Sequence, residues 1–190
     1  MMRFLLAIHN AYTDATSGAA RSERTLMEWL AEAGHECQVL ATCRRRQNSG
    51  GFDGTVQEQL RILGAAAEAG AKAVDLEIES AGQAPEALAF LRQSARLVLS
   101  YHNFESTPAM EPVLRRMLAH PADAYKLVPT ARKPSDMLRV LSLARANPRE
   151  RLIAFSMGEI GFPTRVLTRA FGGAFTYASP AAASGTAPGQ

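Results

Sequence analysis

The chain has 190 residues, 47% of them hydrophobic and 21% charged, and its 21 Lys and Arg against 18 Asp and Glu give a net charge of +3. These values are typical of a globular domain with a core of ordinary size, and they exclude a disordered or membrane-spanning chain. The small and scattered positive charge also excludes nucleic acid as an expected partner.

The N-terminal part predicts a strand, a helix and a second strand. Phe4 to Ile8 is an apolar run of strand length, shorter than the core of a signal peptide. An amphipathic helix opens at Ser22 and ends at Gly34, where glycine is the usual C-terminal residue. Glu36 to Thr42 then reads as the second strand.

The two cysteines lie close together on this second strand. A disulfide between Cys37 and Cys43 would be geometrically poor there, so we expect reduced thiols. Reduced thiols are typical of a cytoplasmic protein.

The middle of the chain combines a basic run with an acidic strand. Arg44-Arg45-Arg46, the only basic run, opens a glycine-rich loop and suits an anionic small molecule as readily as nucleic acid. A helix is predicted from Thr55 to Ala69 and a strand from Ala73 to Ile78. On that strand Asp75 and Glu77 alternate with apolar residues, so they face either the interior of a barrel or solvent at an edge.

The remaining elements continue the alternation of strand and helix. Short connections between them predict a parallel α/β fold. Because a closed barrel has eight strands, the seven predicted here indicate a TIM-barrel-like fold that is seven-stranded or incomplete. The later predicted elements are the helix Pro85 to Gln93, the strands Leu97 to His102 and Tyr125 to Val128, a helix N-capped by Ser135 that runs through Ala144, and the strands Leu152 to Met157 and Ala174 to Tyr177.

Two ionisable residues are placed on neighbouring strand ends, His102 on one and Lys126 on the next. In an α/β barrel the chemistry sits at the C-terminal face of the strands, so an amine and a base there are typical of catalysis. A lysine in an apolar pocket loses solvation of its ammonium form, and the neutral amine can then attack a carbonyl to give an imine. A nearby histidine moves protons at neutral pH. The alternative is a snorkelling Lys126 and a His102 that only holds a loop.

Six separated motifs occur in an order that resembles the type I 3-dehydroquinate dehydratases, a Schiff-base barrel family. The resemblance runs from about Val39 to the last residue. The His-Asn-Phe segment and the Ala-Pro-Gly-Gln ending are its most specific parts. The motifs are Ala41-Thr42-Cys43-Arg44 with Gly50-Gly51-Phe52, Val74-Asp75-Leu76-Glu77, Ser100-Tyr101-His102-Asn103-Phe104-Glu105-Ser106-Thr107-Pro108, Ala122-Asp123-Ala124-Tyr125-Lys126, Met157-Gly158 with Gly161 and Thr164-Arg165, and Thr186-Ala187-Pro188-Gly189-Gln190.

The resemblance implies a reaction and a set of roles. Lys126 stands at the imine-forming lysine, His102 at the proton-transferring histidine, and Arg165 at the arginine that binds the substrate carboxylate. The implied reaction is loss of water from 3-dehydroquinate to give 3-dehydroshikimate, a step of the shikimate pathway, without a metal or other cofactor. The positions that contact the ring hydroxyls or close the site are Arg44, Thr186 and Gln190.

The chain departs from the family pattern at two places. Asn48 and Ser49 stand where the family has a carboxylate that partners the histidine, so His102 lacks this orienting acid. Family members also begin with two strands before the Arg44 strand, whereas this chain is predicted to have one strand and one helix. A folded but inactive scaffold is therefore the hypothesis that competes with a dehydratase.

Residues 2–40 resemble the opening of a retaining glycosyltransferase built from two Rossmann domains. The resemblance rests on Arg3-Phe4-Leu5-Leu6, on Ser17-Gly18-Ala19-Ala20 and on Leu30-Ala31-Glu32-Ala33-Gly34-His35-Glu36. It implies an N-terminal Rossmann-like βα unit at 1–40 joined to a dehydratase-like barrel at 41–190, with a residual affinity for nucleotide sugars as a third hypothesis. Open strand edges in such a barrel invite association, so a homodimer is a possible state.

Overall fold

The computed structural model describes residues 3–8 and 18–177, with side chains from residue 25 onward. The chain forms two compact units, Met1–Leu97 and Val98–Gln190. Within the described residues, none of the helices has both the length and the apolar character needed to cross a membrane.

The first unit alternates three parallel strands with helices. Strands β1, β2 and β3 pair in chain order, and the β1–β2 register runs from Arg3 opposite Glu36 to Ile8 opposite Ala41. The elements are β1 Arg3–Ile8, α1 Gly18–Glu32, β2 Glu36–Thr42, α2 Val56–Glu68, β3 Ala73–Glu77, α3 Ile78–Ala81 and α4 Pro85–Ser94, with a 3-10 turn at Arg46–Asn48.

Local sequence explains the bounds of α2. Thr55 accepts a hydrogen bond from the Glu58 backbone N–H, and the Glu58 side chain accepts one from the Thr55 N–H, which satisfies two of the donors that a helix start leaves open. Leu63 and Ala67 lie on the buried face of the helix. Gly70 follows it with a φ of +107°, a conformation that favours glycine.

The second unit repeats the pattern, with β4, β5 and β6 parallel and again paired in chain order. Its core consists of residues such as Leu99, Leu127 and Ile153 on the strands and Met117 and Val140 on the helices, all of them fully buried. The elements are β4 Arg96–Asn103, α5 Met110–Leu118, β5 Ala124–Pro129, α6 Pro134–Ala146, β6 Leu152–Ala154 and α7 Phe162–Leu167, followed by a 3-10 turn at Thr168–Phe171.

The predicted seventh strand, Ala174 to Tyr177, is wrong, and the described residues contain six strands. The Ala174 N–H donates to the Leu152 carbonyl at 2.6 Å, but no ladder follows. Arg169 binds the carbonyls of Gly173 and Ala174, which holds this segment as an irregular loop. The β-branched and aromatic residues of this segment favour a strand by residue type, but here they belong to this loop.

Two smaller predictions also need correction. The helix α6 begins at Pro134 after an extended Lys133, so Ser135 lies inside its first turn and is not the N-cap. Asp136 instead accepts the N–H groups of Arg132 and Lys133. The strand predicted to run from Leu152 to Met157 ends at Ala154, with one isolated bridge between Met157 and Thr130 beyond it.

Candidate active site

Lys126 and His102 lie on the same face of adjacent strands in the second unit. Lys126 is opposite Ser100, and His102 is two residues further along β4 than Ser100. Because side chains alternate between the faces of a strand, the side chains of Ser100, His102 and Lys126 all leave the sheet on the same side. His102 is close to the end of β4, whereas Lys126 lies inside β5 and not at its end as predicted.

Lys126 is largely closed to solvent and packs against an apolar and an aromatic side chain. The residue is 5% exposed, and Ile153 is opposite it on β6. The Lys126 Nζ lies 4.3 Å from the centre of the Tyr177 ring, whose electron-rich face attracts a cation. A side chain confined in this way presents its amine in one place, as a nucleophile requires.

Arg165 is a buried cation whose hydrogen-bonding capacity is only partly used by the described residues. It is 5% exposed, and its guanidinium carbon lies 4.4 Å from the centre of the Phe155 ring. Its Nη1 donates to the Tyr177 carbonyl at 3.2 Å. Within the described residues its Nε and Nη2 have no hydrogen-bond partner. Burial lowers the pKa of Arg165. Unmade bonds on a buried guanidinium are costly, so these donors suit an anion such as a carboxylate.

The backbone just before Arg165 is held in place by Thr164. The Thr164 hydroxyl donates to the Gly161 carbonyl at 2.6 Å and accepts the Ser156 N–H at 2.7 Å. A Cβ on Gly161 would lie 2.4 Å from the Met157 carbonyl oxygen, so this close approach requires glycine. The loop after β6 therefore delivers Arg165 from a fixed position.

His102 lies at the start of a loop that is tied down by hydrogen bonds. Its ring is stacked with that of Phe104, with centroids 6.0 Å apart. The Asn103 carboxamide oxygen accepts the N–H groups of the two residues that follow Phe104, at 3.0 and 2.8 Å. Thr130 bonds the Asn103 carbonyl, and Thr107 bonds the Thr130 carbonyl, each at 2.9 Å. The loop after β4 is thus fastened to the loop after β5.

Arg44 lies in the first unit, two residues after the end of β2, and is half-buried. The backbone around it is bound by two side chains, because Arg45 N–H donates to Glu77 and Gln59 Nε2 donates to the Cys43 carbonyl at 2.7 Å. Asp75 and Glu77 are 3% and 2% exposed, so of the two alternatives left open by the sequence the one in which they face solvent is excluded.

The remaining predicted positions differ in what the structure shows of them. Asn48 is buried and donates to Glu79 at 3.4 Å, while Ser49 adopts a left-handed conformation with a φ of 58°. Thr186 and Gln190 lie outside the described residues. Within residues 3–8 and 18–177, no three His, Cys, Asp or Glu side chains converge as metal ligands would. Both cysteines are free thiols.

Sequence reasoning missed two aromatic residues of the site, Phe155 and Tyr177. Their rings lie 5.8 Å apart, and each of them contacts one of the buried cations. Phe155 was predicted only as part of a strand, and Tyr177 as part of a seventh strand. The aromatic residue type was the one available signal, and it does not tell which cation the ring meets.

Helices alternating with parallel strands, and a lysine and a histidine on one strand face, are typical of TIM-barrel-like α/β enzymes. Residues 14–190 match the model of the family described as type I 3-dehydroquinase, and the chain belongs to that family. The match includes α1 and β2, which are most of the segment that resembles a glycosyltransferase.

Curated relatives and solved structures agree with this family. A 3-dehydroquinate dehydratase of Dehalococcoides mccartyi strain BAV1 is 39% identical over 184 residues, covering 92% of this chain and 82% of the relative. One from Methanothermobacter thermautotrophicus is 40% identical over 154 residues, covering 80% and 66%. The crystal structure of 3-dehydroquinate dehydratase from Geobacillus kaustophilus has a TM-score of 0.79 at 28% identity, covering 98% and 75%.

A second solved structure shows the fold alone. The type I 3-dehydroquinate dehydratase of Clostridium difficile with covalently modified comenic acid has a TM-score of 0.77 at 19% identity, covering 98% of this chain and 75% of that one. The TIM-barrel-like α/β class predicted from sequence is confirmed.

Proposed function

We propose that the chain dehydrates 3-dehydroquinate to 3-dehydroshikimate and that Lys126 forms an imine with the substrate ketone. The observation that carries the proposal is the strand register, which puts a buried lysine and a histidine on one face of adjacent strands. Membership of the type I 3-dehydroquinase family supplies the substrate.

The chemistry divides between Lys126 and His102. The Lys126 amine adds to the ketone, and the carbonyl oxygen leaves as water to give a cationic imine. The imine draws electrons from the neighbouring carbon, so His102 can remove a proton from it. His102 then returns the proton to the departing hydroxyl group, which leaves as the second water. Hydrolysis of the imine consumes one water and releases Lys126 and the product.

Arg165 binds the substrate carboxylate in this proposal. Its Nε and Nη2 have no partner among the described residues, and two parallel N–H groups match the two oxygens of a carboxylate. The Tyr177 backbone carbonyl accepts a hydrogen bond from Arg165, and the Tyr177 ring contacts the Lys126 amine. Tyr177 therefore contacts both the proposed carboxylate-binding residue and the proposed nucleophile. Arg44, Thr186 and Gln190 contact the ring hydroxyls or close the site.

Borohydride trapping tests the imine directly. The chain has three lysines, and the other two, Lys72 and Lys133, are exposed. Incubation with 3-dehydroquinate and borohydride, followed by peptide mass spectrometry, is expected to attach the reduced ligand to Lys126 and to neither exposed lysine. Lys126→Met is the control and should carry no adduct. A folded wild-type chain without an adduct on Lys126 would rule the mechanism out.

A folded scaffold without turnover is the second candidate. Asn48 stands where the family pattern has a carboxylate, and it donates to Glu79, so the family's acid is missing at this position. Calorimetric binding of 3-dehydroquinate without release of 3-dehydroshikimate would support this candidate. Turnover at the rate of ordinary enzymes, roughly 1 to 1000 per second, would defeat it.

Three further parts of the proposal concern the whole chain. The division at about residue 40 into a glycosyltransferase-like piece and a barrel stays a prediction. A thermal shift assay with UDP-glucose checks for nucleotide-sugar affinity, for which no shift is the expected result. We also propose a cytoplasmic location. We further propose a homodimer, and sedimentation at several concentrations will test this oligomeric state.

A further inference from the structure

Glu77 is a buried carboxylate that the proposed reaction does not use. It is 2% exposed and lies on the same strand as Asp75, two residues away. Burial raises the pKa of Glu77, and the nearby Asp75 raises it further. A carboxylate is costly to bury, so the bonds it makes in return indicate its purpose.

Both oxygens of this carboxylate accept hydrogen bonds. Oε1 accepts the backbone N–H of Arg45 at 2.9 Å, and Oε2 accepts Gln59 Nε2. Gln59 is 0% exposed, and the same Nε2 also donates to the Cys43 carbonyl at 2.7 Å. Its Oε1 accepts the Ser80 hydroxyl at 2.6 Å. These bonds leave the Gln59 amide a single orientation, with the nitrogen toward Glu77.

The two backbone groups held in this way stand on either side of Arg44. We propose that Glu77 is a positioning residue for Arg44, and that it acts with Gln59 and Ser80 by fixing the Cys43 carbonyl and the Arg45 N–H. The inference rests on the function proposed for Arg44. It adds three buried residues to the parts of the molecule that determine how tightly substrate binds.

The isosteric variant Glu77→Gln breaks this arrangement without leaving a cavity. Its side chain has one oxygen where the carboxylate has two, so it can accept from Gln59 Nε2 or from the Arg45 N–H but not from both. In either orientation its NH2 group is then turned against one of these two donors. Rotating the Gln59 amide relieves one clash but turns the oxygen of that amide toward the Cys43 carbonyl, which is also an acceptor. Each outcome releases the backbone next to Arg44.

Steady-state kinetics give the first test. E77Q is expected to raise KM for 3-dehydroquinate about tenfold with kcat within about twofold of wild type, since Arg44 contributes binding and not proton transfer. The matched control is Glu68→Gln, which removes the same charge from an exposed position at the end of α2 and should leave both constants unchanged. An unchanged KM in E77Q would overturn the inference.

A double-variant cycle tests whether Glu77 acts through Arg44. Arg44→Ala removes the side chain being positioned, so E77Q in that background should change KM by less than about twofold. Effects that multiply would mean that Glu77 contacts substrate itself, which contradicts a positioning role. Ser80→Ala, a smaller change, is expected to shift KM in the same direction and covers the case in which E77Q does not fold.

Hydrogen exchange separates this inference from the proposed function. If the wild-type chain does not turn over 3-dehydroquinate, the proposed function fails while the network is still testable. Glu77→Ala should then speed exchange of the Arg45 amide at least about tenfold, while the amides of α2 keep their rates. An Arg45 amide with unchanged exchange would refute the positioning role of Glu77.

Discussion

At the scale of single residues, Arg165 is the clearest link between sequence and chemistry. Its position was predicted from the Thr164-Arg165 motif, and the structure buries it with two donors that no described residue binds. A protein keeps a buried arginine with open donors only where something else completes the bonds, because unmade bonds to a charged group are expensive. We propose that the bound substrate accepts these hydrogen bonds.

Replacing Arg165 with lysine tests whether its planar fork matters. Arg165→Lys keeps the charge but loses the paired N–H groups, so KM for 3-dehydroquinate is expected to rise about 10- to 100-fold, equivalent to about 1.5 to 3 kcal/mol for a charged hydrogen bond. Arg145→Lys on the exposed side of α6 is the control. Equal KM values for the two variants would show that Arg165 does not bind the carboxylate in a bidentate manner.

Cys43 gives a pH-dependent prediction. Burial, and secondly the Glu77 carboxylate, raise the pKa of its thiol from 9.0 to about 11. At pH 9 only about 1% of the native thiol is ionised, so alkylation of Cys43 should be slow until the pH approaches 11. Because the unfolded thiol ionises first, the free energy of unfolding should fall as pH rises from 9 towards 11.

Alkylation rates measured by mass spectrometry check this prediction. The rate in guanidinium should follow the ordinary thiol pKa, and E77Q should react faster than wild type at pH 9, since it lacks the repelling charge. A native rate equal to the denatured one across this pH range would contradict the half-buried placement of Cys43.

Some residues of the site could be predicted from sequence and others could not. Lys126, His102 and Arg165 could be proposed because their residue types carry chemistry and lie within ordered motifs. Tyr177 was not, since an aromatic residue is usually core and its neighbours predicted a strand. Likewise, the burial of Asp75 and Glu77 is compatible with their alternation in sequence, but alternation alone does not say which side of a strand is closed.

At the scale of elements, the loop from Arg44 to Gly54 contains two adjacent glycines in different surroundings. A Cβ on Gly50 would lie 2.0 Å from the Arg44 carbonyl oxygen, whereas a Cβ on Gly51 would meet nothing within 4 Å. The close approach follows from the Phe52 N–H donating to that same carbonyl at 3.1 Å. There is therefore no room for a side chain at Gly50, whereas Gly51 has space for one.

The pair of variants Gly50→Ala and Gly51→Ala exploits this difference. Gly50→Ala should lower the free energy of unfolding by about 1 to 3 kcal/mol, because rigid backbone must move away from the new methyl group. It should also raise KM, since Arg44 moves with its carbonyl. Gly51→Ala should change neither quantity measurably. Urea unfolding and steady-state kinetics measure both, and equal stabilities of the two variants would contradict the close contact.

Strand and helix positions were predicted well where periodicity and breakers agree. The helix at Val56–Glu68 is bounded by a capping threonine and a glycine, and β2 has the predicted bounds of Glu36 to Thr42. The prediction failed at Ala174 to Tyr177, where β-propensity is high but side-chain and backbone contacts hold the chain out of the sheet. Propensity alone does not reveal which backbone carbonyls are already bound by side chains elsewhere in the chain.

At the scale of the whole molecule, the order of the motifs was more informative about the protein family than any single helix or strand. Composition and a net charge of +3 left many α/β enzymes open. The six ordered motifs identified the family that the match over residues 14–190 shows. Strand count was less certain, because a strand is defined by its partner and a sequence does not name that partner.

Trapped substrate should stabilise the whole chain in a way that depends on Lys126. A ligand joined covalently to its own site acts at a high effective concentration, so its non-covalent contacts keep favouring the folded state. At an effective 100 times Kd the gain is about 2.7 kcal/mol, which for a chain of this size corresponds to a rise in Tm of roughly 5 to 10 °C.

Calorimetry of borohydride-treated protein after exhaustive dialysis measures this rise. Wild type treated with 3-dehydroquinate and borohydride should keep its higher Tm, because the ligand cannot be removed. Lys126→Met treated in the same way should return to the Tm of the untreated variant, since it binds substrate only reversibly. Borohydride without substrate should change neither protein. A wild-type Tm that falls back after dialysis would mean that no covalent bond forms, and a rise retained by Lys126→Met would place that bond at another residue.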